Sequence, residues 1–369
     1  MKNYKVDKIR NVALLGHGGS GKTTLTEAML YTTNVVKRMG KVEDGNTVSD
    51  FDKEEIARQF SIGTSVIPIE WNNSKYNILD APGYFDFSGE VISALRVAGG
   101  AVIMVDATSG VEVGTEKAWK YTEERKMPKI IFINKMDKEN VNFDKLIAGL
   151  REKFGKKIAP FAIPIGEGTN HKGFVNVVDM IGREYNGKEC VDVAVPAELE
   201  DRIAPVREML IESVAESDEE LLEKYFEGEE FTTQEIHDGL RKGVLAGDVV
   251  PVLIGSVANN IGIHTLFGMI FDYMPTPKDM HNGEYEGVHP DSEEPEVRKV
   301  DEKGPFSALV FKTIVDPFVG KISLFKVYSG KLSKDMEVLN ANKDEKEKFG
   351  SLFMLRGKNQ VDCSEIVAG

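Results

Sequence analysis

The chain has 369 residues, with 46 basic and 60 acidic side chains and a formal net charge of −14. That length points to two or three compact units, and the charge argues against general, salt-driven adhesion to nucleic acid, DNA included. Apolar residues make up 41% of the chain, which suits a sizeable core. Yet no run approaches the roughly 18 apolar residues of a membrane span.

The N-terminal run Met-Lys-Asn-Tyr-Lys-Val-Asp has no apolar leader core, so a cytoplasmic protein without membrane attachment is expected. Cys190 and Cys363 lie far apart with no metal-ligand spacing, as expected of unpaired thiols in a reducing compartment. Nothing in the sequence argues for a homo-oligomer.

A first strand is predicted near 11–16. It runs into Gly16-His17-Gly18-Gly19-Ser20-Gly21-Lys22-Thr23, which fits G-x-x-x-x-G-K-[ST], and a helix follows near 22–32 from Lys22 and Thr24 onward. Consecutive backbone N–H groups in that setting can wrap phosphate oxygens, and the glycines let the backbone approach closely. Lys22 can reach the terminal phosphates, and the Thr23 hydroxyl can join the shell of Mg²⁺.

The polar stretch from Lys41 to Ser49 reads as a loop ordered by ligand. After it, Ser61 opens a strand near 62–70 and offers a second hydroxyl to the metal when a triphosphate is bound. Asn72-Asn73 predicts a hairpin, making one edge pair antiparallel.

The next strand, near 75–80, ends in Asp80-Ala81-Pro82-Gly83, 58 residues beyond Lys22. Asp80 can hold Mg²⁺ through water, and Gly83 can offer its N–H to a γ-phosphate. Helices are predicted near 88–99 and 111–125, with a strand near 100–106 between them.

The strand near 129–134 ends in Asn134-Lys135-Met136-Asp137. The Asp137 carboxylate can accept from the two adjacent N–H donors of guanine, an arrangement adenine lacks. Asn134 can bridge this loop to the phosphate loop, and the Lys135 stem can lie along the base. A site built on such bonds rejects the wrong base by about 10⁴ or more.

A helix near 143–154 and a strand near 159–165 follow. Acidic helical pieces lie within 199–216, 219–226 and 233–245. A strand near 249–255 ends in Gly255-Ser256-Val257-Ala258, where a backbone N–H can reach the base oxygen. A helix near 263–273 stops at Met274-Pro275.

The pattern is α/β: a mostly parallel sheet with helices on both faces and the ligand at the strands' carboxyl ends. It assigns 1–285 to a nucleotide-binding domain whose alternation is interrupted at about 167–247. A polar, acidic linker takes 286–303. Short strands at 307–314, 320–328 and 348–354 then suggest an antiparallel β-barrel over 304–369.

With these motifs the chain resembles translational GTPases of the elongation factor G group, over essentially its whole length. The runs Gly83 to Val91, Val111 to Glu116 and Gly16 to Gly21 resemble the elongation-factor-G-like subgroup more than the principal factor. The resemblance implies GTP and GDP as ligands, Mg²⁺ as cofactor, and the ribosome, its RNA and its stalk proteins, as partner. It also implies an inserted subdomain at about 167–247. Lys22, Thr23, Asp80, Asn134 and Asp137 fall on the family's nucleotide positions, Ser61 on its switch threonine, and Ser256 and Val257 on its Ser-Ala base loop. Gly19 stands where relatives carry aspartate.

The main departure is Tyr84, which replaces the histidine that orients the attacking water in the principal factors. A phenol can hydrogen-bond a water but offers no imidazolium near neutral pH. Hydrolysis is therefore expected to rest on Tyr84 and the Gly83 backbone beside the water, with Lys22 stabilising phosphate charge and a partner stimulating turnover. The alternatives are a nucleotide-switched ribosome-binding or regulatory scaffold with little turnover, and a ribosomal protection or rescue GTPase. An ATPase on the same loop is opposed by Asp137. The family's barrel continues past such a C-terminus, so the chain is expected to be the front part of a longer protein.

Overall fold

The computed structural model describes residues 2–187, 190–316 and 320–369. Met1 of the leader reading, 188–189 of the expected insert and 317–319 of the expected barrel lie outside them.

Strand β1 (Ile9–Gly16) is buried along its whole length. That is why its run from Val12 to Leu15 is continuously apolar instead of alternating. It leads through the glycine-rich turn into α1 (Lys22–Thr32). Next come α2 (Lys53–Arg58), β2 (Ser65–Trp71) and β3 (Ser74–Asp80). Asn72 and Asn73 both take positive φ in the turn joining β2 to β3, which run antiparallel.

The first domain continues with α3 (Ser88–Leu95), β4 (Gly100–Asp106), α4 (Val113–Glu123), β5 (Lys129–Asn134) and α5 (Phe143–Phe154). The seven-stranded sheet has the order β2-β3-β1-β4-β5-β11-β6, with β6 at Ile158–Pro160 and β11 at Val250–Ile254. Apart from β2 all its pairings are parallel. The strand order reverses at β1, between β3 and β4, and the loops leaving β1, β3, β5 and β11 at that end build the site.

The expected strand 159–165 is two strands. Proline leaves no donor at 160, the chain leaves the main sheet there, and β7 (Ala162–Ile165) joins a second sheet. This antiparallel sheet has the order β10-β9-β8-β7, with β8 at Gly173–Asn176, β9 at Ile181–Tyr185 and β10 at Cys190–Val193. It was not expected: its strands are four or five residues long, too short for an alternation signal. Helices α6 (Glu200–Ala215), α7 (Glu219–Phe226) and α8 (Thr233–Ala246) occupy the acidic stretches. Leu210, Val214, Leu240 and Val244 bury into the same core as the main sheet. The domain closes with α9 (Ile263–Tyr273).

The stretch expected as linker carries a hairpin, β12 (Glu284–Val288) with β13 (Pro295–Lys299). Beyond it the strands are antiparallel. β14 (Ser307–Asp316) pairs with β15 (Gly320–Ser329), and β16 (Lys331–Ser333) with β21 (Glu365–Val367). β17 (Glu337–Asn340) pairs with β18 (Glu345–Lys348), and β19 (Phe353–Arg356) with β20 (Asn359–Asp362). The run 348–354, expected as one strand, is broken between β18 and β19. No helix of the described residues is long and apolar enough to cross a membrane.

Candidate functional site

A cavity of about 630 Å³ opens where the loops after β1, β3, β5 and β11 converge. Gly18, Gly19, Gly21, Lys22, Thr23 and Thr24 line one side, Gly83 and Tyr84 a second, Asn134, Lys135 and Asp137 a third, and Ser256 and Ala258 a fourth. Four stretches separated by up to some 240 residues of sequence therefore meet around one space. Gly16, His17, Ser20, Asp80, Ala81, Pro82 and Val257 do not line the cavity.

Asn134 joins two of the loops. Its Nδ2 donates to the Ser20 carbonyl at 3.0 Å, and the Val257 N–H donates to its Oδ1 at 2.9 Å, both bonds buried. Gly21, at φ 100°, passes so close that a Cβ there would collide with the Asn134 amide. The Val257 N–H is committed to Asn134 and the Ser256 N–H to Ile261; Ala258 and Asn259 are the exposed residues of this loop. Lys135 takes a left-handed backbone and pairs with Asp106. Burial raises the Asp106 carboxyl, but the bonds from Lys135 and Thr108 outweigh it and hold the group below the usual range.

At the opposite end the Lys22 ammonium donates to the Gly16 and His17 carbonyls at 3.1 and 2.8 Å. Burial pushes its pKa down, against the pull of Asp80, Asp50 and Glu112. Asp80 is 1% exposed, and neither carboxylate oxygen has a hydrogen-bond partner. Burial first, and the Asp50 carboxylate next, push its pKa up. Asp50 is buried as well, with Oδ2 unpartnered and its pKa raised by burial foremost. The Thr23 and Ser61 hydroxyls stand 3.1 Å apart beside them.

Two buried carboxylates, Asp80 with both oxygens unpartnered and Asp50 with one, and two hydroxyls form an all-oxygen donor set that fits a hard divalent cation such as Mg²⁺. Among the described residues no group of three or more His, Cys, Asp or Glu side chains is placed to hold a metal. The hydroxyls and the ligand's own oxygens would have to complete the shell.

Gly83 packs on the phosphate loop: a Cβ there would come 2.5 Å from Lys22 Nζ and 2.8 Å from the Gly18 nitrogen. Tyr84, 45% exposed, lies against Gly18 and against Phe60 at 4.6 Å between ring centroids. The His17 side chain turns away from the cavity, where its Nδ1 accepts from the Gly114 N–H at 3.2 Å beside Glu112.

Sequence reasoning missed three carboxylates here. Asp50 stands in the cavity wall. Glu27 of α1 accepts from the Gly40 and Val48 N–H groups and so anchors the polar stretch before Asp50. Glu55 accepts from the Ile62 and Gly63 N–H groups just after Ser61. The capping pattern Asp52-x-x-Glu55 was the one available signal for this segment.

A doubly wound sheet with a glycine-rich loop running into a helix defines a P-loop nucleotide-binding protein. The chain matches the family described as Elongation factor Tu GTP binding domain over residues 7–276 and that described as Elongation factor G domain 2 over residues 305–369. It therefore belongs to the translational GTPases of the elongation factor Tu and G family. A solved structure from Thermus thermophilus is similar at 34% identity with a TM-score of 0.85. The similarity covers 98% of this chain and 51% of that one, so the present chain spans about half the length of that relative.

Proposed function

We propose that this chain binds GTP and GDP in the cavity, hydrolyses GTP, and does so as part of an elongation-factor-G-like factor acting on the ribosome in the cytoplasm. The observation that carries the reading is the Asn134 bridge. It fixes the Asp137 loop to the loop ahead of Lys22, so guanine recognition and phosphate binding are held in one rigid frame.

In this reading Asp137 accepts from the guanine N1–H and N2–H₂, Lys135 lies along the base, and Ser256, Val257 and Ala258 close its edge. The N–H groups from Gly18 to Thr24 wrap the phosphates, and Lys22 exchanges its two loop carbonyls for phosphate oxygens. Thr23 and Ser61, with Asp80 and Asp50 through water, would hold Mg²⁺, which when bound neutralises charge on the phosphates. The Gly83 N–H faces the terminal phosphoryl, and Tyr84 flanks the position of the attacking water. No arginine lines the cavity among the described residues close to Lys22 and Gly83, so slow intrinsic turnover is expected.

Calorimetry should give strong preference for GDP over ADP, and phosphate release should rise on adding ribosomes. Equal affinity for GDP and ADP would overturn the guanine assignment. The second reading, a nucleotide-switched scaffold with little turnover, is favoured by Tyr84, whose phenol stands where relatives carry histidine. A flat rate of phosphate release with and without ribosomes would select it. Ribosomal protection or rescue would show as release of a blocked ribosome without translocation.

A further inference from the structure

We propose that Lys312 of the second domain is a positioning residue for the nucleotide site, a role that rests on the function proposed above. Lys312 lies on β14, and its ammonium reaches across to the first domain. It sits 2.6 Å from Glu90 Oε2 on α3 and donates to the Thr64 carbonyl at 3.0 Å. Glu90 Oε2 also takes the Thr64 N–H at 2.7 Å, and the Thr64 hydroxyl donates to the Glu90 carbonyl at 3.1 Å.

One ammonium thus locks the end of the segment 61–64 onto the helix that follows Tyr84. The fit is close: a Cβ at Gly63 would stand 2.9 Å from the Lys312 nitrogen. Glu55 holds the same segment from α2, and the Thr23 hydroxyl meets Ser61 at its start.

The second domain grips α3 at its far end as well. The Lys326 ammonium donates to the Val97 carbonyl at 3.0 Å, and the Tyr328 hydroxyl to the Arg96 carbonyl at 3.4 Å. On the other flank, the Gly357 turn packs so tightly on the Val48 carbonyl that no side chain fits between them. The second domain therefore touches both ends of the segment 48–64 that carries Asp50 and Ser61.

The Lys312 contact differs from the others in being ionic, with its side chain only 15% exposed, and in landing three residues from Ser61. Holding that segment in place keeps the Ser61 hydroxyl beside Thr23, where a triphosphate-bound metal needs it and a diphosphate does not.

The test uses the full chain with Lys312→Met, Lys312→Arg and, as a contact away from the metal side, Arg356→Gln, whose guanidinium meets the Pro68 carbonyl. Affinities are read with fluorescent GDP and a non-hydrolysable GTP analogue. Lys312→Met should weaken the triphosphate by about tenfold and leave GDP within about twofold, with Lys312→Arg restoring most of the loss. Tryptic cleavage after Arg58, an exposed site inside the segment, should speed up about tenfold in Lys312→Met and not in Arg356→Gln.

Equal weakening of both nucleotides, or an unchanged cleavage rate, overturns the proposal. Should the wild type bind no guanine nucleotide, the function reading falls. The cleavage rates then decide by themselves whether Lys312 holds the segment.

Discussion

Replacing Asn134→Ala removes the one side chain that ties the Asp137 loop to the phosphate loop. Asn134 is 4% exposed, and its two hydrogen bonds are buried. Truncation leaves the Ser20 carbonyl and the Val257 N–H without their partner. Each stranded group costs about 1–3 kcal/mol when water cannot replace the bond, so a loss of about 3 kcal/mol is expected for the pair. Both tryptophans, Trp71 stacked on Phe267 and Trp119 stacked on Phe154, lie in the first domain. Urea unfolding followed by their fluorescence therefore reports the right unit, and the midpoint should fall by about 1 M. Asn134→Asp keeps an acceptor for Val257 but sets a carboxylate against the Ser20 carbonyl, so it should cost at least as much. GDP affinity should fall in both variants, because two walls of the cavity lose their common brace. A midpoint shift below about 0.2 M in Asn134→Ala would refute the reasoning, since it would mean that the bridge bears no strain.

Gly83→Ala inserts a methyl between Lys22 and the Gly18 nitrogen, where the backbone cannot yield; turnover should drop about a hundredfold in phosphate-release assays, and a near-normal rate would remove Gly83 from the chemistry. Tyr84→Phe should lower ribosome-stimulated turnover strongly while GTP affinity stays nearly constant; an unchanged stimulated rate would leave Tyr84 as a packing partner of Phe60 and Gly18. Asp137→Asn turns one acceptor into a donor and should cost about 10⁴ in GTP affinity while favouring a xanthine nucleotide, as competition binding would reveal. Burial holds the His171 imidazole neutral by pushing its pKa down to about 4, whereas the unfolded chain takes up that proton near 6.5. Its contribution is therefore complete above about pH 6.5 and is lost as pH falls toward 4, by on the order of 3 kcal/mol. His171→Asn should flatten that part of the stability profile in urea titrations run from pH 7 to 4, and an unaltered slope would show that another group sets it.

What could be read from the sequence depended on how local the cause was. Gly21 must be glycine because its own turn takes φ 100° beside Asn134, and β4, β5 and the Val12–Leu15 part of β1 are apolar runs because both faces are covered. Such constraints are written within a few residues of where they act. The strands β8 to β10 and the β12–β13 hairpin are short, and their pairing depends on partners rather than pattern. Lys312 is the extreme case. Its partners lie 222 and 248 residues earlier in the chain, and nothing around it distinguishes it from any other strand lysine.

Asp50 shows why the missing part of the site matters physically. A buried carboxylate without a partner raises the energy of the fold unless something of opposite charge joins it. Here Asp80, with neither oxygen partnered, and Asp50, with Oδ2 unpartnered, face one ammonium, and that ammonium is already engaged by the Gly16 and His17 carbonyls. The charges that disfavour the fold alone are the charges that a divalent cation and a phosphate chain would balance together. Ligand binding at this place therefore contributes directly to folding stability, in proportion to the logarithm of ligand concentration over its dissociation constant. On the proposed function, the same conflict would suit the segment 48–64 to sensing the ligand. Its end at Thr64 is fastened through Lys312 to the second domain, while Asp50 and Ser61 are left to be pulled in by the metal side. On the function proposed above, a segment anchored at its margins and electrostatically unsatisfied at its centre would be the part of the site that a terminal phosphoryl group and its metal reposition.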